Sequence, residues 1–138
     1  SRDSAIRTAR TAVTGAQNAG RMDSYVAAAK MGIKVQKKWV ATKDFRTRHD
    51  HGMADGQIVE YDKPFIIGGY KMMFPGDSSM GASGHEIYNC RCRMVSGTDL
   101  DPEAEPRQMR VRDANGRNVL VNEMTFAEWQ EWVKSRGN

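Results

Sequence analysis

Only two cysteines occur in 138 residues, and they stand two apart, at Cys90 and Cys92. That scarcity excludes a disulfide framework and fits a reducing compartment better than a secreted scaffold. No apolar run approaches the ~20 residues of a membrane span. The opening SRDSAIRTAR has neither an initiator Met nor the apolar core of a secretory signal, and it reads as a piece of something longer. A Gly-rich phosphate loop, a nucleophile elbow and a paired-carboxylate pattern are all missing, and with them the commonest signatures of nucleotide-binding and hydrolytic enzymes. There is no internal repeat and no low-complexity tract, which leaves one compact domain long enough to fold without staples.

What is present is charge. The net charge is +4, and residues 34–48 (KVQKKWVATKDFRTR) carry six cations against the single anion Asp44. A basic stretch with Trp39 inside it offers a backbone-tracking surface for nucleic acid, through Lys34, Lys37, Lys38 and Lys43. The competing reading makes Trp39 core and the lysines the wet face of a strand.

The patterning predicts an α+β fold with N-terminal helices, a small antiparallel sheet with long loops, and a closing hairpin plus helix. Alanine-rich spacing over Ser4–Lys30 places Ile6, Ala9, Val13 and Ala16 on one stripe and Tyr25, Val26 and Ala29 on a second, so two helical segments are expected to meet near Gly20. From Lys34 the period becomes two, with Val35, Lys37, Trp39 and Ala41 sharing a face. Residues 43–57 read as loop, and short strands are expected at 57–61, 70–74 and 90–95. Residues 99–105 (DLDPEAE) form an acidic linker. Beyond it, QMRVR and RNVLV flank an Asn-Gly hairpin turn, and Thr125 with Glu128 forms a capping box ahead of Phe126, Trp129 and Val133. Residues 1–98 are expected to form the main body, with 99–138 packed on the same domain.

On a strand, alternate side chains leave one face, which would put the Cys90 and Cys92 α-carbons roughly 6.6 Å apart. That disfavours a disulfide between them, because a disulfide needs converging β-carbons. They are therefore presented thiols or buried small residues. As metal ligands they need partners: His49 and His51 offer the same spacing upstream, four ligands that would complete a tetrahedral zinc site, and His85 is a substitute for His49. An enzymatic reading starts from the loop of Asp44, Arg46, Arg48, His49, Asp50, His51 and Asp55, with a histidine as general base and an arginine stabilising a phosphate, as in metal-independent RNA cleavage. Open space beside His51 would favour it, and a filled polar knot would favour structure.

The segments ARTAVTGAQNAGR (9–21), KKWVATKDFRTRHDHGMADGQ (37–57), KPF (63–65), MFPGD (73–77) and YNCRC (88–92) together resemble the Mu-F-like head morphogenesis domain of tailed-phage minor head proteins. The family's motifs fall on Arg10 and Thr11, on Lys37 and Trp39, on Asp44, Arg46, Arg48, His51, Asp55 and Gly56, and on Asn89, Cys90, Arg91 and Cys92. Ala12 stands where an acidic residue often follows Arg-Thr, and His49 is outside the pattern. The resemblance implies a non-catalytic virion component, present in few copies near the portal, with capsid proteins as partners and packaged DNA as a non-specific contact. It implies assembly in the host cytoplasm and no membrane. It also places Cys90, Cys92 and His51 in one pattern, the beginnings of a zinc site with Asp44, His49 or Asp55 to complete it. The rival functions are a nuclease-like or toxin-associated enzyme using His51 with Arg46 or Arg48, and a zinc-stabilised nucleic-acid-binding module.

Overall fold

A computed structural model describes residues 1–88, 90–96 and 107–136; the acidic linker and Asn89 lie outside the described residues. The architecture is α+β. Helix α1 spans Arg2–Lys30, capped by the Ser1 hydroxyl accepting from Ser4 N at 3.2 Å. It is one helix where two segments were expected. Gly20 is exposed and touches nothing, and its cost of about 1 kcal/mol is absorbed by the alanine-rich turns on either side. The expected stripe of Ile6, Ala9, Val13 and Ala16 is exposed, and the buried positions are Asn18, Met22 and Tyr25. The reason is that the helix meets the core through its second half, where Met22 and Tyr25 pack with the sheet.

Strand β1 (Gln36–Val40) is the centre of an antiparallel sheet, with β2 (Ile58–Glu60) on one side and β5 (Arg93–Ser96) on the other. Its register pairs Trp39 with Met94 and Lys37 with Val59. Between β1 and β2 lies a short helix, α2 (His49–Ala54), where only loop was expected. Strands β3 (Phe65–Ile67) and β4 (Tyr70–Met72) form a hairpin, followed by α3 (Gly84–Ile87). The main core gathers Trp39, Phe65, Ile67, Met72 and Met94, all fully buried.

Strands β6 (Gln108–Arg112) and β7 (Asn118–Asn122) form the hairpin that the Asn-Gly turn predicts, with Gly116 at φ 77°. Helix α4 (Phe126–Arg136) carries the capping box: Glu128 N donates to Thr125 Oγ1 at 3.1 Å and Thr125 N to Glu128 Oε1 at 3.4 Å. Its Phe126, Trp129 and Val133 join Val111 in a second core. This unit sits against the first through Arg112 N donating to Lys43 O at 3.0 Å and through Phe45, whose ring lies 5.1 Å from that of Trp129. Among the described residues, no helix is long and apolar enough to cross a membrane.

Candidate functional site

The loop after β1 is wound by its own side chains. Asp44 accepts from the amides of Arg46 (2.9 Å) and Thr47 (3.1 Å), and the Thr47 hydroxyl donates to Thr42 O, a tight turn that delivers the chain to α2. Once residues 49–54 are helical, positions i and i+2 lie about 200° apart around the axis. His51 therefore points inward, 2% exposed, and His49 outward. The His51 ring meets the edge of Trp39 with centroids 5.9 Å apart.

The cysteine segment reaches the same place from the other side. Strand β5 begins at Arg93, so Cys90 and Cys92 precede the strand rather than open it. Three polar residues of α1 hold their backbone instead. Thr14 Oγ1 donates to Cys90 O (2.8 Å), Asn18 Nδ2 to Cys92 O (3.3 Å) and Arg21 Nη1 to Met94 O (3.1 Å). Steps of four and three along a helix advance about 6 and 4.5 Å, near the two-residue repeat of an extended chain, so successive turns reach alternate carbonyls. Cys90 and Cys92 are both buried, and their sulfurs lie 3.8 and 3.4 Å from His51 Nδ1.

Behind the imidazole stands Glu86 of α3, 1% exposed, its Oε2 facing His51 Nε2 at 3.2 Å. The pair is off the line of a hydrogen bond, and neither atom has another partner among the described residues. Burial pushes the Glu86 carboxyl up to about 7, and Asp50 beside it adds to the rise. Gly68, at φ 56°, lets this acid pair approach the chain, since a β-carbon there would fall 2.5 Å from Asp50 Oδ2. The thiols are pushed apart. A hydrogen bond from Cys92 and the nearby His51 bring Cys90 down to about 5 against its burial, whereas that hydrogen bond to Cys90, burial and the Cys90 charge push Cys92 well up.

Asp44, Arg46, Arg48, His51 and Asp55 do not form a single polar knot. Asp44 takes a bidentate grip from Arg91, and Arg48 donates to Tyr88 O. Asp55 accepts from Ala41 N (2.8 Å), Lys43 Nζ (2.6 Å) and Phe126 N (2.9 Å), so it is occupied by β1 and α4. Arg46 is exposed. Neither Asp44, Asp55 nor His49 reaches the sulfurs, and among the described residues His51, Cys90 and Cys92 make up the metal-ligand group there. His85 is exposed and lies on the far side, 3.9 Å from Glu86 Oε1.

The basic stripe also breaks up. Lys37 shares a face with Trp39 and is fully buried, its ammonium donating to Met73 O at 2.7 Å and lying 5.0 Å over the Phe65 ring. Lys43, 2% exposed, is paired with Asp55. Ammonium groups so enclosed cannot meet a phosphate backbone; Lys34 and the half-buried Lys38 remain outside.

A cavity of about 710 Å³ opens in front of the thiols and His51, with Arg10, Arg46, Arg48 and Arg91 in its wall. Sequence reasoning found five of these seven in its loop and cysteine motifs and met Arg10 and Arg91 only through the resemblance. It missed Thr14, Asn18, Arg21 and Glu86. An asparagine at 18, four residues after Thr14 and three before Arg21 on the face that buries Met22, was a readable sign of a helix bonding to a neighbouring backbone.

A family model described as "Phage Mu protein F like protein" matches residues 1–95. The chain belongs to this family. Two relatives carry the comparison further: minor head protein GP7 of Bacillus phage SPP1 is 35% identical over 130 residues, covering 93% of this chain and 40% of the relative. NAD(+)--arginine ADP-ribosyltransferase EFV of Enterococcus faecalis (strain ATCC 700802 / V583) is 35% identical over 126 residues, covering 91% of this chain and 24% of that protein. The Mu-F-like chain thus spans less than half the length of either curated relative. No solved structure matches it.

Proposed function

We propose that this chain is the head-morphogenesis part of a minor head protein from a tailed phage or prophage, a structural component that assembles near the portal and resides in the virion after assembly in the host cytoplasm. The observation that carries the reading is the 35% identity to a phage minor head protein across 93% of the chain. The transferase relative shares the same stretch, yet that stretch is a 24% share of its length. A segment common to a head protein and a transferase is better understood as the part that places each polypeptide than as the part that transfers ADP-ribose. The occupied carboxylates Asp44 and Asp55, each spent on tying loops together, support a scaffold role. Co-expression with the portal protein of the same genome tests it: co-elution in one assembly is expected, and portal rings that form without retaining this chain would overturn it.

The cavity beside His51 favours a second reading, a nuclease-like site with Arg46 and Arg48. Against it, both ring nitrogens of the buried His51 are enclosed by buried groups, Nδ1 by two sulfurs and Nε2 by Glu86. Incubation with labelled RNA and DNA should leave both intact.

For DNA, the reading is non-specific contact only. Anisotropy titrations with unrelated duplexes should give equal affinities that fall steeply from about 50 to 200 mM salt, as released counterions require. Preference for one sequence, or insensitivity to salt, contradicts it.

A further inference from the structure

We propose that Cys90, Cys92 and His51 bind a zinc ion through three protein ligands, with the fourth position open to the arginine-lined cavity and filled by water or a small anion. In a tetrahedral site with Zn–S of about 2.3 Å and Zn–N of about 2.1 Å, the sulfur–nitrogen edges measure roughly 3.6 Å. The two edges here, 3.8 and 3.4 Å, straddle that value, and all three ligand atoms lie within 4.8 Å of one another. Simple core packing does not require both thiols to aim at one ring nitrogen.

Two independent features fit the same ion. A metal on Nδ1 fixes the proton on Nε2, where it faces the buried Glu86 Oε2, an oxygen with no hydrogen-bond partner among the described residues, the carboxylate–histidine–metal arrangement that orients a ligating imidazole. The backbone of the cysteine segment is immobilised through its carbonyls by Thr14 and Asn18, which presents the sulfurs without using them. Zinc binds both sulfurs as thiolates, any proton they carry passing to solvent, and oxidises nothing. Three protein ligands and an open fourth position distinguish this centre from closed structural zinc sites, and Arg10, Arg46 and Arg48 in a cavity wall that among the described residues holds no carboxylate favour an anionic occupant.

The test uses the full chain, purified under reducing conditions without chelator and reconstituted with zinc, then with cobalt(II). Elemental analysis should give close to one zinc per chain, and both thiols should be protected from a thiol reagent until a strong chelator is added. The cobalt form should show intense tetrahedral ligand-field bands with thiolate charge transfer, and these should shift on adding inorganic phosphate or azide. Cys92→Ser and His51→Ala should lose the metal, with circular dichroism reporting whether each folds, while His49→Ala and His85→Ala should keep it. Protein that stays metal-free after reconstitution, or thiols that react equally fast with and without zinc, would overturn the site. A cobalt spectrum indifferent to added anions would overturn the open position.

Discussion

Lys37 illustrates how one side chain is captured by its neighbours' needs. It lies on the strand face that must bury Val35, Trp39 and Ala41, and the period of two carries it in with them. Burial lowers its ammonium from 10.5 to about 8 against the opposing pull of Asp62 and Asp77, a penalty of about 3 kcal/mol on the charged form. Because the folded value lies below the unfolded one, the folded chain binds fewer protons between pH 8 and 10.5, and this group makes stability rise with pH across that window and level off below it. Lys37→Met lacks the effect. Urea melts of both proteins at pH 7.5 and 9.5 should show the parent gaining on the variant as pH rises; parallel changes would mean an ordinary lysine. Asp55 is the opposite case, an anion whose three partners all depend on it. Asp55→Ala strands the Lys43 charge and leaves two amides unsatisfied, and chemical denaturation should register a loss of about 3 kcal/mol or more.

At the scale of elements, the long helix is held by propensity along its exposed turns and by contacts from Thr14 onward with the cysteine segment, β5 and the main core. Gly20 touches nothing, so Gly20→Ala should raise stability by about 0.5–1 kcal/mol, readable as a higher melting temperature. A lower one would mean that the helix needs flexibility there. The hairpin, the capping box and the Trp39 strand were legible because each rests on a local rule: positive φ at Gly116, a reciprocal hydrogen bond at Thr125 and Glu128, a period of two. Helix α2 was not, because a six-residue element with glycine inside it has no period to detect and forms through the Asp44 turn before it and the sulfurs beneath it. That omission misplaced His49: an i, i+2 pair shares a face in a strand and opposes across a helix. Strand β3 and helix α3, three and four residues long, escaped for the same reason, and Glu86 with them. The candidate site was half legible: its ligands announced themselves as types, whereas the acid behind them and the helix that aims them depend on tertiary approach.

Among the described residues, two hydrophobic cores meet at a seam. Gly52 of α2 packs tightly on Phe126 of α4 there, where a β-carbon on Gly52 would lie 2.7 Å from the aromatic ring. Asp55 and Lys43 complete the seam with their bonds to Phe126 N and Arg112 N, so the hairpin and α4 are attached through the same loop that delivers His51. Wedging that seam separates two possibilities: a C-terminal unit that is merely appended, or one on which the loop depends. Gly52→Ala overpacks the contact at a cost of about 1–3 kcal/mol. Hydrogen exchange should then show amides of α4 and the β6–β7 hairpin opening sooner than those of β1 and β5, with Trp129 fluorescence shifting as its contact with Phe45 loosens. Equal acceleration in β1 and α4 would show that the two cores open as one cooperative unit, and that the C-terminal hairpin and helix are needed to hold the histidine loop in place.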